Sequence, residues 1–113
     1  MGFRRSKKET QERKRWKEFC IQNKSLLYET GLPLAYIESE GLFCDFLMHG
    51  YIDHHVVDFQ FSTDDMNEKQ FESFKALVWK YFEAGFSNPG IAVFNYDETQ
   101  RLETAFPKQF EYK

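Results

Sequence analysis

The sequence predicts a helix-dominated α+β domain, with about three helices and a small antiparallel sheet from a C-terminal hairpin. Two observations carry this prediction. Apolar residues recur at helical spacing in long stretches of residues 1–85. Two runs with strand character then follow a turn at Asn88-Pro89-Gly90. Because an isolated hairpin is only marginally stable, an all-α fold with an irregular C-terminal tail is the alternative.

Length and composition predict one folded domain. A chain of 113 residues is too short to bury two separate cores. Its 42% hydrophobic and 19% aromatic content excludes a disordered chain. No apolar run approaches the ~18 residues that a membrane span needs, and no secretory signal follows the basic start. We therefore expect an intracellular, cytoplasmic protein with no membrane partner.

The first helix is predicted to begin at Ser6, because Ser6 and Glu9 have the spacing of a capping box. Its apolar stripe begins only at Trp16. The first half of the helix should therefore project into solvent or onto a partner. We accordingly divide the chain into a basic, projecting N-terminal helical arm, residues 1–15, and a single globular domain, residues 16–113.

A short and a compact helix are predicted next. Residues 34–37 have the length of a single helical turn. Residues 39–49 are apolar on most sides, which is typical of a helix near the centre of a core. Gly50 is its expected C-terminal stop.

The most regular helical pattern follows the polar run at residues 62–65, which is expected to supply the N-cap and an acidic first turn. Gly85 is the expected end of this helix. Its apolar stripe has a period of 3.6 residues and consists of Phe71, Phe74, Leu77, Val78, Tyr81 and Phe82. Trp79 lies off this stripe. We expect the aromatic C-terminal tail to cover Trp79; if it stays open, it is a partner-binding anchor.

The C-terminal hairpin is predicted from local composition. Residues 91–96 have the pattern of a strand, residues 97–100 that of a turn, and residues 101–106 that of a weaker returning strand. Residues 51–61 are ambiguous. We interpret them as a loop that leads into a short strand from Val56, which would give the hairpin a third strand.

Charge is distributed unevenly along the chain. Residues 1–24 hold nine basic and three acidic side chains, whereas residues 25–113 hold six basic and fifteen acidic ones. In composition, such a basic arm on an acidic body resembles a patch that binds phosphates or an acidic protein. The alternative is a solvated helix, or pairing of the arm with the acidic body of the same chain. A pI near 5.6 argues against a dedicated nucleic-acid domain. The candidate partner-binding residues of the arm are Arg4, Arg5, Arg13, Lys14 and Arg15.

All three histidines lie within seven residues, at His49, His54 and His55, and Asp53 lies between them. Imidazole and carboxylate ligands suit a divalent metal such as zinc, iron or manganese, so these four residues are the candidate metal ligands. In a strand, however, His54 and His55 would point to opposite faces. The alternative is a solvated turn in which His49 lies near a helix C-terminus, where a cation is favoured.

No catalytic motif is visible in the sequence. It contains no phosphate-binding glycine loop, nucleophile elbow, HExxH helix or zinc-ligand cysteine pair. Cys20 and Cys44 lie among apolar residues, as buried structural cysteines do. We assign no catalytic residue and expect no cofactor, apart from the metal that the histidines would bind.

These observations favour a small protein-interaction domain, such as an adapter, an inhibitor or an immunity-type protein. We expect a protein partner, which the acidic body or Trp79 would contact with help from the arm. A metal-dependent enzyme or sensor that uses the three histidines is the first alternative. Nucleic-acid association through the arm is the second, and the oligomeric state stays open.

Overall fold

A computed structural model describes residues 7–50 and 61–110 and shows an all-α fold over them. Its six α-helices are α1 Lys7–Gln22, α2 Lys24–Glu29, α3 Leu34–Glu38, α4 Glu40–His49, α5 Glu68–Glu83 and α6 Tyr96–Ala105. Single 3-10 turns lie before α5, at Thr63–Asp65, and after α6, at Pro107–Phe110. Because these residues contain no β-strand, the predicted α+β class is wrong and the all-α alternative fits. The proposed strand from Val56 falls on residues 51–60, outside the described part of the chain.

Helix α6 replaces the turn and the returning strand of the predicted hairpin. Asn95 caps it by accepting the backbone N–H of Glu98 at 3.0 Å. Asp97 and Glu98 add negative charge to the first turn, where the helix dipole favours it. Residues 97–100 are therefore the first turn of a helix rather than the loop of a hairpin.

Residues 91–94, predicted as the first strand, form an irregular connection. The backbone N–H of Ala92 donates to the carbonyl of Leu47 at 2.8 Å, in the last turn of α4. Val93 and Phe94 pack partly buried against the core. The segment thus partly buries its large apolar side chains and supplies a donor to the end of α4 without forming a strand.

The predicted first helix divides at Asn23 into α1 and α2. The carbonyl of Phe19 accepts both the backbone N–H and the side-chain amide of Asn23, each at 3.0 Å. This local bond competes with the regular helical pattern, and Asn23 has φ −116° and ψ 25°. Lys24 begins the short second helix, which packs against α5.

Helices α3 and α4 confirm the prediction for this part of the chain. The side chain of Ser39 caps α4 by accepting the N–H of Leu42. Gly50 ends the helix in the left-handed conformation, at φ 76°. Phe43, Phe46 and Leu47 are fully buried on this helix, as its apolar composition predicts.

Helix α5 begins later than predicted, because the run at residues 62–65 forms a turn of its own. Ser62 caps that turn, and Asn67 caps α5 through reciprocal bonds with Gln70 of 2.8 and 2.9 Å. The helix ends before Gly85, which adopts φ 89°. Every residue of the predicted stripe is buried except Phe71, which is partly buried.

One aromatic-rich core joins all of these elements. Rings from α1, α4, α5 and the C-terminal turn contact one another in an unbroken chain. None of the helices in the described ranges is long and apolar enough to cross a membrane. The buried hydrophobic residues are Trp16, Phe19, Leu27, Leu32, Tyr36, Phe43, Phe46, Leu47, Phe74, Leu77, Val78, Tyr81, Phe82, Phe86, Leu102 and Phe110.

Candidate functional site

A groove of about 1230 Å³ lies between α1–α2 on one side and the junction of α3 with α4 on the other. We call it the α1 groove. Trp16, Cys20 and Ile37 form its floor. The α1–α2 wall consists of Arg13, Lys14, Lys17, Ile21, Lys24 and Tyr28, and the opposite wall of Glu38, Ser39, Glu40 and Gly41, with Glu12 at one end.

The depth of the α1 groove is set by contacts beneath its floor. The carbonyl of Ile37 lies in the last turn of α3, where helical carbonyls lack partners within the helix. It accepts the indole N–H of Trp16 at 3.0 Å and the thiol of Cys20 at 3.1 Å. These two bonds hold α1 against the end of α3 and so fix the two walls relative to each other.

Two large apolar side chains on the α1–α2 wall face solvent. Ile21 is 66% exposed and Tyr28 is 54% exposed, while Trp16 on the buried side of α1 is 4% exposed. Ile21 lies at the end of α1 and Tyr28 lies in α2, and both line the groove. They form an apolar pair next to a floor that is itself apolar.

The same wall carries basic side chains that pair with none of the described carboxylates. Lys14, Lys17 and Lys24 are exposed, and no described carboxylate lies within ion-pair distance of them. The ion pairs found in the described ranges belong to Lys75, which contacts Glu72 at 2.7 Å and Glu98 at 3.5 Å. No carboxylate among the described residues therefore neutralises the charge of these three lysines.

The predicted binding residues of the arm divide into three groups. Arg13 and Lys14 face the α1 groove. Arg15 is used by the fold: its guanidinium donates to the carbonyl of Ala84 at 3.2 Å and lies 4.7 Å from the ring of Phe86. It thereby contributes positive charge and a donor at the C-terminus of α5. The remaining two, Arg4 and Arg5, lie outside the described residues.

Behind the groove wall, a series of polar side-chain contacts connects α4 to α5. The buried hydroxyl of Tyr81 lies 3.1 Å from the thiol of Cys44 and donates to the carboxylate of Glu40 at 3.5 Å. Burial raises the pKa of the Tyr81 hydroxyl and of the Cys44 thiol, and it raises the pKa of the Cys20 thiol to about 11. Both thiols are therefore protonated and weakly nucleophilic at neutral pH, as expected of structural cysteines.

Of the three residues in this series of polar contacts, Glu40 is the one that lines the groove. Burial raises the pKa of its carboxyl, and the negative charge of Glu12 raises it further. The hydrogen bond from Tyr81 and the charge of Arg15 act in the opposite direction. The folded state therefore binds a proton at Glu40 more tightly than the unfolded state does.

Glu40→Gln is expected to stabilise the protein increasingly as the pH rises. Because the folded state binds the proton of Glu40 more tightly, protonation of this carboxyl favours folding. Its contribution to the free energy of unfolding is fully present below the unfolded pKa of about 4.3 and is lost as the pH rises through the higher folded pKa. Glutamine keeps an acceptor for Tyr81 and carries no charge. Urea unfolding of both proteins between about pH 4 and pH 7 measures the difference. Glu38→Gln, at the exposed rim, is the control; a difference that shrinks with rising pH would contradict the assignment.

Only one of the four candidate metal ligands lies in the described ranges. His49 is exposed at the C-terminal end of α4. Asp53, His54 and His55 lie outside the described residues. Among the side chains that the structure describes, residues 11–50 and 61–110, no group of three or more His, Cys, Asp and Glu is placed to hold a metal ion. The metal site stays a prediction.

Trp79 is partly covered, as expected, by the C-terminal aromatic residues. Its ring meets that of Phe106 edge-on with a centroid distance of 5.0 Å. The exposed part lines a shallow hollow with Asp97 and Arg101 on α6. Trp79 thus packs against the C-terminal end of α6, and its role in binding a partner stays a prediction.

The sequence matches no protein-family model, and comparisons with curated proteins and with solved structures give no significant match. The fold and the groove alone thus define an all-α domain with a mixed apolar and charged groove. Sequence reasoning missed the apolar pair of Ile21 and Tyr28, together with Lys17 and Lys24. Their signal was present as two large apolar residues outside the apolar stripe that begins at Trp16.

Proposed function

We propose that this chain is a protein-interaction domain that binds a segment of a partner protein in the α1 groove. The observation that carries the proposal is the exposed pair of Ile21 and Tyr28, beside a floor formed by Trp16 and Cys20. Removing such side chains from water contributes about 25 cal/mol per Å² of apolar surface, so a partner that covers them gains binding energy.

The charges of the groove favour a protein over a nucleic acid. Lys14, Lys17 and Lys24 line one wall, but Glu38 and Glu40 line the other. A phosphate backbone brings negative charge to both walls, and carboxylates repel it. A protein segment can carry different charges on its two edges and so complement both walls.

Site-specific photo-crosslinking in cells that produce the protein tests this proposal. A photoreactive phenylalanine analogue in place of Tyr28 should give a discrete protein adduct. The same analogue in place of Glu103, which is exposed on α6 away from the groove, should not. Adding Ile21→Glu should abolish the adduct with the melting temperature preserved, because Ile21 is largely exposed. Equal adducts from both positions, or none from Tyr28, would contradict the proposal.

A further inference from the structure

We infer that the partner segment is an amphipathic α-helix with an acidic edge, which lies along α1–α2. This inference rests on the proposed function and specifies the chemistry of the occupant. Three properties of the α1 groove support it: the state of its backbone groups, the placement of its exposed apolar pair and the distribution of its charges.

A helix suits this groove better than an added β-strand does. The α1–α2 wall is made of helices, whose interior backbone N–H and C=O groups already pair within the chain. A peptide that binds as an added β-strand needs a strand edge to bond its backbone groups, and the described residues offer no strand. A helix satisfies those groups internally and contributes only side chains to the contact.

Ile21 and Tyr28 define where apolar residues of a partner helix, its anchors, would make contact. Ile21 and Tyr28 lie on either side of Asn23, so two consecutive helices present them on the same wall. A partner helix that runs along this wall can contact each of them with an apolar residue, and apolar residues at positions i, i+4 and i+7 form a continuous face for that contact. Such a helix covers both exposed side chains and the floor between the walls.

The lysines of the α1–α2 wall favour negative charge on the edge of the partner helix that faces them. Lys17 precedes Ile21 by one turn of α1, and Lys24, at the start of α2, lies between Ile21 and Tyr28 in the sequence, so both lysines lie on the same wall as the apolar pair. Glutamate or aspartate beside the anchors of a partner helix would pair with them, as flanking charges do in coiled coils. Glu38 and Glu40 on the opposite wall repel carboxylates, so the acidic residues belong to one edge only.

Two synthetic helical peptides provide the test. Both carry leucines at positions i, i+4 and i+7; one has glutamates along one edge, and the other has lysines at the same positions. Fluorescence anisotropy with the full chain should give an affinity at least about ten-fold higher for the acidic peptide, and added salt should reduce that difference. The variant Lys17→Glu with Lys24→Glu should reverse the preference. The variant Lys69→Glu with Lys108→Glu, which changes the net charge equally at exposed sites outside the groove, should preserve it.

Other outcomes would overturn the inference in separable ways. If Tyr28 gives its adduct but the full chain does not prefer the acidic peptide, the groove binds a protein of different chemistry and the proposed function stands. If the adduct is also missing, both fail. If a labelled oligonucleotide binds with a steep salt dependence and loses affinity in Lys17→Glu with Lys24→Glu, the occupant is a nucleic acid instead.

Discussion

Replacing Phe74 with alanine is expected to lower the free energy of unfolding by about 3–5 kcal/mol. Phe74 is fully buried on α5, and its ring lies 5.4 Å from that of Phe46 on α4 and 5.5 Å from that of Phe94. Two helices and the irregular connection before α6 therefore meet at this side chain. Alanine removes the apolar contacts and leaves a cavity that rigid neighbouring rings fill poorly.

Urea unfolding followed by circular dichroism measures this loss. Glu72→Ala, on the same helix, is the matched control. Glu72 is exposed and forms an ion pair with Lys75 at 2.7 Å, so its removal should cost less than about 0.5 kcal/mol. Similar shifts of the unfolding midpoint for Phe74→Ala and Glu72→Ala would mean that the buried face of α5 has been assigned wrongly.

The regular helices were predictable because each repeats one local pattern over several turns. The stripe of α5 lasts long enough for the 3.6-residue period to exclude a strand. The stop at Gly50 needs only a residue that adopts positive φ readily, which is a local property. Such features depend little on what the rest of the chain does.

The C-terminal region could not be settled from residues 91–94 alone. A short run of branched and aromatic residues suits a strand, but a strand also needs a neighbour to pair with. The chain instead uses Ala92 to complete the end of α4. The spacing of Asn95 and Glu98 is that of an N-cap and its N3 residue, so a signal for α6 was present. The hairpin interpretation gave that signal too little weight.

The α1 groove depends on tertiary placement, which explains why its residues were largely missed. Trp16 was predictable as a core residue because it begins the apolar stripe. Ile21 and Tyr28 lie off that stripe, and their exposure follows from how α3 and α4 pack beside α1. Arg15 shows the opposite effect, since its charge indicated a binding role while the fold uses it to complete the end of α5.

Replacing Trp16 with alanine is expected to cost about 3–5 kcal/mol of stability and to collapse the floor of the α1 groove. Trp16 is 4% exposed, and its ring lies 5.3 Å from those of Phe19 and Phe43. The substitution removes this packing together with the indole N–H that bonds the carbonyl of Ile37. Both losses weaken the attachment of α1 to the rest of the core.

Trp16→Phe separates packing from hydrogen bonding at this position. Phenylalanine keeps an aromatic ring against Phe19 and Phe43, and the carbonyl of Ile37 keeps its bond from the thiol of Cys20. We therefore expect this variant to lose less stability than Trp16→Ala and to retain the photo-crosslink from position 28.

Lys17→Ala, at the next and exposed position, should change stability by less than about 0.5 kcal/mol. Urea unfolding combined with crosslink yield distinguishes the three variants. If Trp16→Ala stayed nearly as stable as Lys17→Ala, contacts elsewhere would have to hold α1 in place, because neither the ring packing nor the bond to Ile37 would then be needed.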